Sequence, residues 1–156
     1  MGILILYMTS HGCAEKAAKT LKEMLNDEVV LINLKRDSEP DLSAYDTMII
    51  GGSIHAGRIQ GRIKKFCERN ASLLLEKKLG LFLCCMEEGE KAQKQFEDAF
   101  SAELRDHATA MGLFGGEFNF ERMNFLEKKI VKKVAKVSES VFKINKKAID
   151  KFASAF

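Results

Sequence analysis

The first fifteen residues constrain the fold most, because an apolar run is followed by a short polar turn and then by a helical pattern. Residues 3–8 are apolar, residues 9–12 supply two hydroxyls, a histidine and a glycine, and small apolar residues recur at helical spacing from Ala14. A turn of this kind meets the unpaired N–H groups and the positive dipole end of the helix that follows. It is therefore either a phosphate-binding loop or an ordinary turn capped by Thr9 or Ser10.

The rest of the chain alternates short apolar runs with amphipathic segments. The runs at 29–34, 47–53, 79–86 and 110–118 predict four further strands, and apolar residues at helical spacing predict helices near 14–25, 59–74 and 96–104. The runs are nearly continuous rather than alternating, which indicates strands buried on both faces and hence a parallel sheet between two layers of helices. The sequence thus predicts one doubly wound α/β domain over residues 1–156 with five parallel strands.

Three loops follow predicted strands and carry glycine or polar residues, at 9–15, 53–58 and 86–90. In an open parallel sheet, ligands bind at the carboxyl ends of the strands, where the strand order reverses. Because all three loops are expected at that one edge, their convergence favours the phosphate-binding interpretation of the first.

Composition limits the class of protein further. At 156 residues and 46% apolar content the chain suits a single domain with its own core, and no stretch is long and apolar enough to cross a bilayer. The start shows no signal-peptide pattern, so a cytoplasmic protein is expected. The four cysteines lack metal-ligand spacing, which indicates buried thiols and no metal site. Cys13, at a predicted helix start, is either a reactive thiol or only a small residue tolerated there.

The last third of the chain is basic although the net charge is only +3. Apolar residues at helical spacing predict that segment 122–156 closes the domain with two helices or one broken helix. Nine lysines accompany them: Lys128, Lys129, Lys132, Lys133, Lys136, Lys143, Lys146, Lys147 and Lys151. They form either a solvated face or a peripheral contact with an anionic membrane, at its inner face, or with a partner. Nucleic acid is disfavoured, because no recognisable module or aromatic platform accompanies the lysines.

The strand and turn at 4–15, the segment Tyr45–Ser53 and the short α/β chain together resemble the flavodoxins, which bind FMN. More narrowly, residues 51–57 and 115–118 are similar to the flavodoxin-like subgroup that contains the menaquinone-dependent protoporphyrinogen oxidases. The resemblance covers nearly the whole chain. It implies a flavodoxin-like sheet with strand order 2-1-3-4-5, FMN as the cofactor, and a small-molecule or protein redox partner.

The resemblance also assigns the cofactor-binding residues. The family's phosphate loop falls on Thr9, Ser10, His11, Gly12, Cys13 and Ala14, and its two flavin-flanking loops fall on Ser53, Ile54, His55, Ala56 and Gly57 and on Cys85, Met86, Glu87, Glu88 and Gly89. His11 and Ala14 stand where threonines usually donate to the phosphate. The loop is therefore expected to hold the dianion with backbone N–H groups, the two remaining hydroxyls and a protonated His11. Neither flanking loop contains an aromatic residue, so Ile54, His55 and Met86 are the candidates for contact with the flavin ring.

Three functions remain open from the sequence. The first is an FMN-dependent oxidoreductase resembling protoporphyrinogen oxidase, in which electrons pass from a substrate through FMN to a quinone or another acceptor. In such an enzyme His55 either assists proton transfer or is an exposed loop residue. The second is an electron-carrier flavodoxin, although such carriers are usually acidic and this chain has an isoelectric point near 8.6. The third is a non-redox α/β scaffold, which requires that the protein bind no flavin.

Overall fold

The structure is a computed structural model that describes residues 2–9, 12–118 and 141–156. Its sheet contains five parallel strands, β1 (Gly2–Tyr7), β2 (Val29–Asn33), β3 (Tyr45–His55), β5 (Lys78–Cys84) and β6 (Ala110–Leu113), in the order β2-β1-β3-β5-β6. The short strand β4 (Arg58–Ile59) pairs antiparallel with the end of β3. Apart from β4, these are the five strands predicted from the sequence, and their doubly wound order is confirmed.

Helices cover both faces of the sheet. They are α1 (Cys13–Met24), α2 (Gly61–Arg69), α3 (Ala71–Leu74), α4 (Gly89–Ala99), α5 (Ala102–His107) and α6 (Lys146–Ala153), with a short 3₁₀ turn at Leu42–Ala44. Alternate residues of β1 enter two separate cores. Leu4 and Leu6 pack with residues of α2 and α4, whereas Ile3 and Ile5 pack with residues of α1 and α6. This double burial is why the strands read as continuous apolar runs.

Glycines in the central strands make room for aromatic rings. A Cβ on Gly51 of β3 would collide with the ring of Phe82 on the neighbouring strand β5. Phe82 in turn stacks on Phe114, with ring centroids 4.9 Å apart, and both rings are fully buried. These two aromatic rings therefore lie in the buried core on one side of the sheet.

The predicted fifth strand at 110–118 is wrong in its length. The main sheet ends with β6, and after the buried Phe114 the chain forms β7 (Gly115–Phe118), which pairs antiparallel with β8 (Val141–Ile144) in a separate two-stranded sheet. Gly115 has φ +83°, a backbone conformation that residues other than glycine rarely adopt. At this residue the chain turns out of the main sheet.

Within the described part of the predicted closing segment, Lys146–Ala153 is helical as predicted and Val141–Ile144 is not. Val141–Ile144 is a strand in register with β7, and Asn145 then caps α6 by accepting a hydrogen bond from the N–H of Ala148 at 3.0 Å. The predicted helix residues 122–140, with five of the lysines, lie outside the described residues, so membrane contact stays a prediction. In the part of the chain that the structure describes, no helix is long and apolar enough to cross a membrane.

Two predicted helices are each divided. The helix near 59–74 becomes α2 and α3, separated at Asn70, whose side chain donates to the carbonyl of Phe66 at 2.9 Å. The helix near 96–104 becomes α4 and α5, because Ser101 accepts from the N–H of Leu104 and starts a new helix. In both places a polar side chain satisfies backbone groups that a continuous helix would use.

Candidate functional site

The carboxyl ends of β1, β3 and β5 lie side by side at one edge of the sheet. Tyr7 of β1 is in register with Gly51 of β3, and Ser53 of β3 is in register with Cys84 of β5. The three loops selected from the sequence therefore emerge next to one another. This is the edge at which open parallel sheets bind their ligands.

The turn after β1 has the backbone geometry of an anion site. Gly12 adopts φ +99°, and its N–H donates to the Thr9 hydroxyl oxygen at 2.8 Å. Helix α1 begins at the next residue, and Gly12 at its cap position has no side chain with which to cap the helix. Ser10 and His11 lie outside the described residues, so their assignment to the phosphate loop stays a prediction. The described part of the turn presents backbone N–H groups and the positive end of a twelve-residue helix.

Thr9, Cys13 and Ala14 take different parts at this turn. Thr9 is nearly buried, and its hydroxyl, which already accepts from Gly12, can still donate its own proton. The side chains of Cys13 and Ala14 face the core beside α1. From these two residues an anion at the turn would receive only backbone N–H groups.

The loop predicted after β3 is a tight hairpin. Strand β3 continues through Ser53, Ile54 and His55, and β4 returns beside it with Ile54 opposite Ile59 and His55 opposite Arg58. The two residues between the strands, Ala56 and Gly57, have φ +51° and +81°. Positive φ at both central residues defines the type I′ turn that is favoured in two-residue hairpins. The predicted flavin-flanking segment 53–57 therefore has a defined backbone.

Gln60 ties this hairpin to the turn after β1. Its side-chain oxygen accepts from the N–H of Ser53 at 3.0 Å, and its side-chain nitrogen donates to the carbonyl oxygen of Met8 at 3.1 Å. Gly52 provides the space, because a Cβ there would lie 2.7 Å from the Gln60 oxygen. Sequence reasoning did not select Gln60, and no local pattern distinguishes it from other glutamines near a helix start.

The hydroxyl of Ser53 is an unsatisfied polar group at the same place. The oxygen is buried and has no hydrogen-bond partner among the described residues, although its residue is only half-buried. Buried polar atoms without partners are rare in native proteins, and one that lies at a ligand-binding edge is well placed to form a hydrogen bond with the ligand. The Ser53 hydroxyl thus has unused hydrogen-bonding capacity at this edge of the sheet.

The loop after β5 rests on a different part of the chain. Cys85 is buried, and its N–H donates to the carbonyl of Gly115 at 2.8 Å. Burial raises the pKa of the Cys85 thiol, which contacts the carbonyl of Glu87 at 3.7 Å. Gly116 lies against this loop so closely that a Cβ there would be 2.7 Å from the sulfur of Met86 and 2.8 Å from the Cys85 carbonyl oxygen.

A cavity of about 300 Å³ opens beside the loop after β5. It is lined by Cys85, Met86, Glu87, Glu88, Gly89, Ala92, Leu113, Gly115, Gly116 and Asn145. These residues come from the loop itself, from α4, from the end of β6, from the start of β7 and from the cap of α6, so the cavity lies on the β6 side of the loop. The predicted residues 85–89 therefore all line a cavity, with the side chains of Glu87 and Glu88 exposed at its rim.

The described residues fit an FMN-like ligand in three respects. The turn after β1 offers backbone N–H groups to a phosphate, the Ser53 hydroxyl lacks a partner, and two loops of defined backbone flank the space beyond β3 and β5. The two flanking loops differ in charge, since Arg58 is exposed beside the hairpin and Glu87 and Glu88 are exposed on the other side.

Comparisons with known proteins agree with this geometry. Residues 4–143 match the family described as flavodoxin domain. No curated protein sequence is significantly similar to the chain. Among solved structures, it is similar to a short-chain flavodoxin associated with a non-canonical PDU bacterial microcompartment (TM-score 0.61, 14% identity, covering 99% of this chain and 96% of that one). It is also similar to the two-electron reduced flavodoxin of Megasphaera elsdenii (0.59, 14%, 97% and 98%) and to oxidised flavodoxin 1 of Bacillus cereus (0.57, 17%, 99% and 96%). At these identities the structures show a shared fold.

Proposed function

Because the chain belongs to the flavodoxin family, whose members bind FMN, we propose that it is a redox protein that holds FMN across the loops after β1, β3 and β5. The turn at residues 9–12 carries the proposal. Its left-handed Gly12 leads directly into α1, and because Gly12 has no side chain, the first N–H groups of the helix receive no hydrogen bond from a side chain at the cap position. A phosphate dianion satisfies such N–H groups and interacts favourably with the helix dipole.

The residues around the turn have distinct tasks in this proposal. Backbone N–H groups at Cys13 and Ala14, with the Thr9 hydroxyl, hold the phosphate. The Ser53 hydroxyl and the hairpin lie beside the flavin on the β3 side, and residues 85–89 lie beside it on the β5 side. When bound, FMN supplies the capacity to accept and release electrons, and the chain supplies binding and orientation.

A flavin titration tests this function. The purified protein is stripped of any ligand and titrated with FMN and, separately, with riboflavin, which has the same ring system but no phosphate. We expect FMN to bind at least about 100-fold more tightly, since charge-assisted hydrogen bonds to the phosphate each contribute about 1.5–3 kcal/mol. Absence of FMN binding would refute the function, and equal affinity for the two flavins would refute the phosphate site.

We further propose that the protein oxidises a small substrate, as the similarity to the protoporphyrinogen oxidase subgroup suggests. Two observations support this. A cavity of about 300 Å³ adjoins the loop after β5, and the flanking loops contain no aromatic side chain that would cover the flavin ring. Turnover of a porphyrinogen with a menaquinone as acceptor is the direct assay.

A carrier flavodoxin is the second candidate, favoured by the similar length of the single-domain flavodoxins that the chain covers almost completely. Rapid reduction by a flavodoxin reductase, with no porphyrinogen turnover in the presence of quinone, supports the carrier function. Porphyrinogen turnover supports the enzyme.

A further inference from the structure

We propose that Gln60 is a positioning residue that fixes the spacing between the turn after β1 and the hairpin after β3, and thereby sets the affinity for FMN. The inference rests on the proposed function for its ligand. The brace itself, meaning the two hydrogen bonds of the Gln60 side chain, joins atoms of the chain alone.

The geometry of the brace is specific. The Gln60 amide oxygen accepts from the Ser53 N–H at 3.0 Å, and the amide nitrogen donates to the Met8 carbonyl at 3.1 Å. The acceptor and the donor of one side chain therefore contact two different loops. Met8 and Gln60 are 52 residues apart in the sequence. Gly52 leaves the room that the amide occupies, since a Cβ on Gly52 would lie 2.7 Å from the Gln60 oxygen.

The two braced loops are the ones between which the proposed ligand extends. In the proposed site the phosphate lies at the turn that follows Met8, and the flavin lies against Ser53. A ligand that contacts both loops binds more tightly when their separation is already set, because less ordering is required on binding. The hydroxyl of Ser53, which has no hydrogen-bond partner among residues 2–9, 12–118 and 141–156, belongs to the residue whose N–H the brace holds. Gln60 therefore orients a ligand contact without being one.

The first test needs no ligand. Gln60→Leu removes both hydrogen bonds while keeping a side chain of similar size, and exchange of the Ser53 amide hydrogen is measured by NMR in the ligand-free protein. We expect at least about fivefold faster exchange at Ser53, since a hydrogen bond in a partly buried place is worth about 1 kcal/mol. Gln93→Leu makes the same change on an exposed residue of α4 and is the control. Unchanged exchange at Ser53 in Gln60→Leu would overturn the brace.

The second test measures FMN affinity. We expect Gln60→Leu to weaken FMN binding at least about fivefold, while Gln93→Leu binds like the parent protein. A smaller change in Gln60→Leu would overturn the inference even if the parent binds FMN well. If the parent protein fails to bind FMN, the proposed function fails, and Ser53 exchange still decides whether the brace exists.

Gln60→Glu separates positioning from general packing. A protonated carboxyl group can accept from Ser53 N–H and donate to the Met8 carbonyl, whereas an ionised one has no proton to donate. The affinity of Gln60→Glu for FMN, taken relative to the parent at the same pH, should therefore recover as pH falls from about 7 to about 4, through the range in which a glutamate carboxyl protonates. The same ratio for Gln60→Leu should stay constant. A ratio for Gln60→Glu that is independent of pH would overturn the proposed hydrogen bond to Met8.

Discussion

The two loops that flank the proposed flavin position are held by different parts of the molecule. The hairpin after β3 is fixed by its own type I′ turn and by the Gln60 brace to the turn after β1. The loop after β5 is attached to the start of β7, through the Cys85 N–H bond to Gly115 and close packing against Gly116. The turn after β1 and the hairpin thus form one preorganised half of the proposed site, and the loop after β5 forms the other half.

Because the two halves are held differently, substitutions in them should affect different properties of the protein. Damage to the first half should act mainly on FMN affinity, because both the phosphate and the β3 side of the ring depend on it. Damage to the second half should act mainly on stability and on the surroundings of the ring, because β7 supports that loop. The following predictions can confirm or refute this division.

The largest effect is expected from Gly12→Asp. The substitution places a carboxylate beside the phosphate and a side chain at φ +99°, so we expect FMN affinity to fall at least about 100-fold through charge repulsion and backbone strain. Gly61→Asp is the control, since it makes the same change at the first residue of α2, where a Cβ meets nothing within 4 Å. Equal FMN affinities for the two variants would show that the phosphate does not bind at this turn.

A smaller effect is expected from Gly116→Ala, which acts on the second half. Its Cβ would lie 2.8 Å from backbone atoms of Cys85, so the loop or β7 must shift, at a cost of about 1–3 kcal/mol in the free energy of unfolding. Thermal unfolding should therefore begin several degrees lower, and the visible spectrum of the bound flavin should change.

The control for Gly116→Ala is Gly61→Ala, which places the same methyl group in open space at the start of a helix. That variant should be at least as stable as the parent protein. If Gly116→Ala unfolds at the parent's temperature, the loop after β5 is not supported by β7, and the division of the site into two halves fails.

Substitutions in the hairpin turn should change stability by about 1 kcal/mol in opposite directions. Ala56→Asn introduces a residue that tolerates φ +51°, so it should stabilise the protein, whereas Gly57→Ala forces a Cβ into φ +81° and should destabilise it. Urea unfolding of the ligand-free proteins measures both. The same sign for both variants would contradict the type I′ turn.

The smallest effect concerns thiol labelling. Burial raises the pKa of Cys67 to about 12 and raises that of Cys85 as well, so both should react slowly with a thiol reagent in the folded protein near neutral pH. FMN should slow labelling of Cys85 several-fold further, because Cys85 begins the loop after β5, and leave Cys67 on α2 unchanged. Peptide mapping by mass spectrometry distinguishes the two thiols. Equal protection of both would mean that FMN stabilises the whole domain rather than this loop.

The sheet and the meeting of its three loops at one edge were predictable because they depend on local patterns. Continuous apolar runs identified the strands buried on both faces, and the helical spacing after Gly12 located α1. The type I′ turn was not predicted, since Ala56 is uncommon at positive φ.

Features that depend on distant partners were not predictable. Val141 and Ile144 fit the helical spacing of α6, and only their pairing with β7 makes them a strand. Gln60 acquires its importance from Met8, which is remote in the sequence. Gly115 and Gly116 are a local signal of the break, because glycine inside a strand weakens it.

The fit of the Phe82 ring over Gly51 also bears on how this sequence can diverge. The two residues are in register on adjacent strands, and the space that the glycine leaves open is filled by the ring. A larger residue at 51 is compatible with the sheet only when a smaller one replaces Phe82, and the reverse change leaves a hole that costs stability. The two positions should therefore covary among relatives, so that a pair of substitutions survives where either one alone is lost.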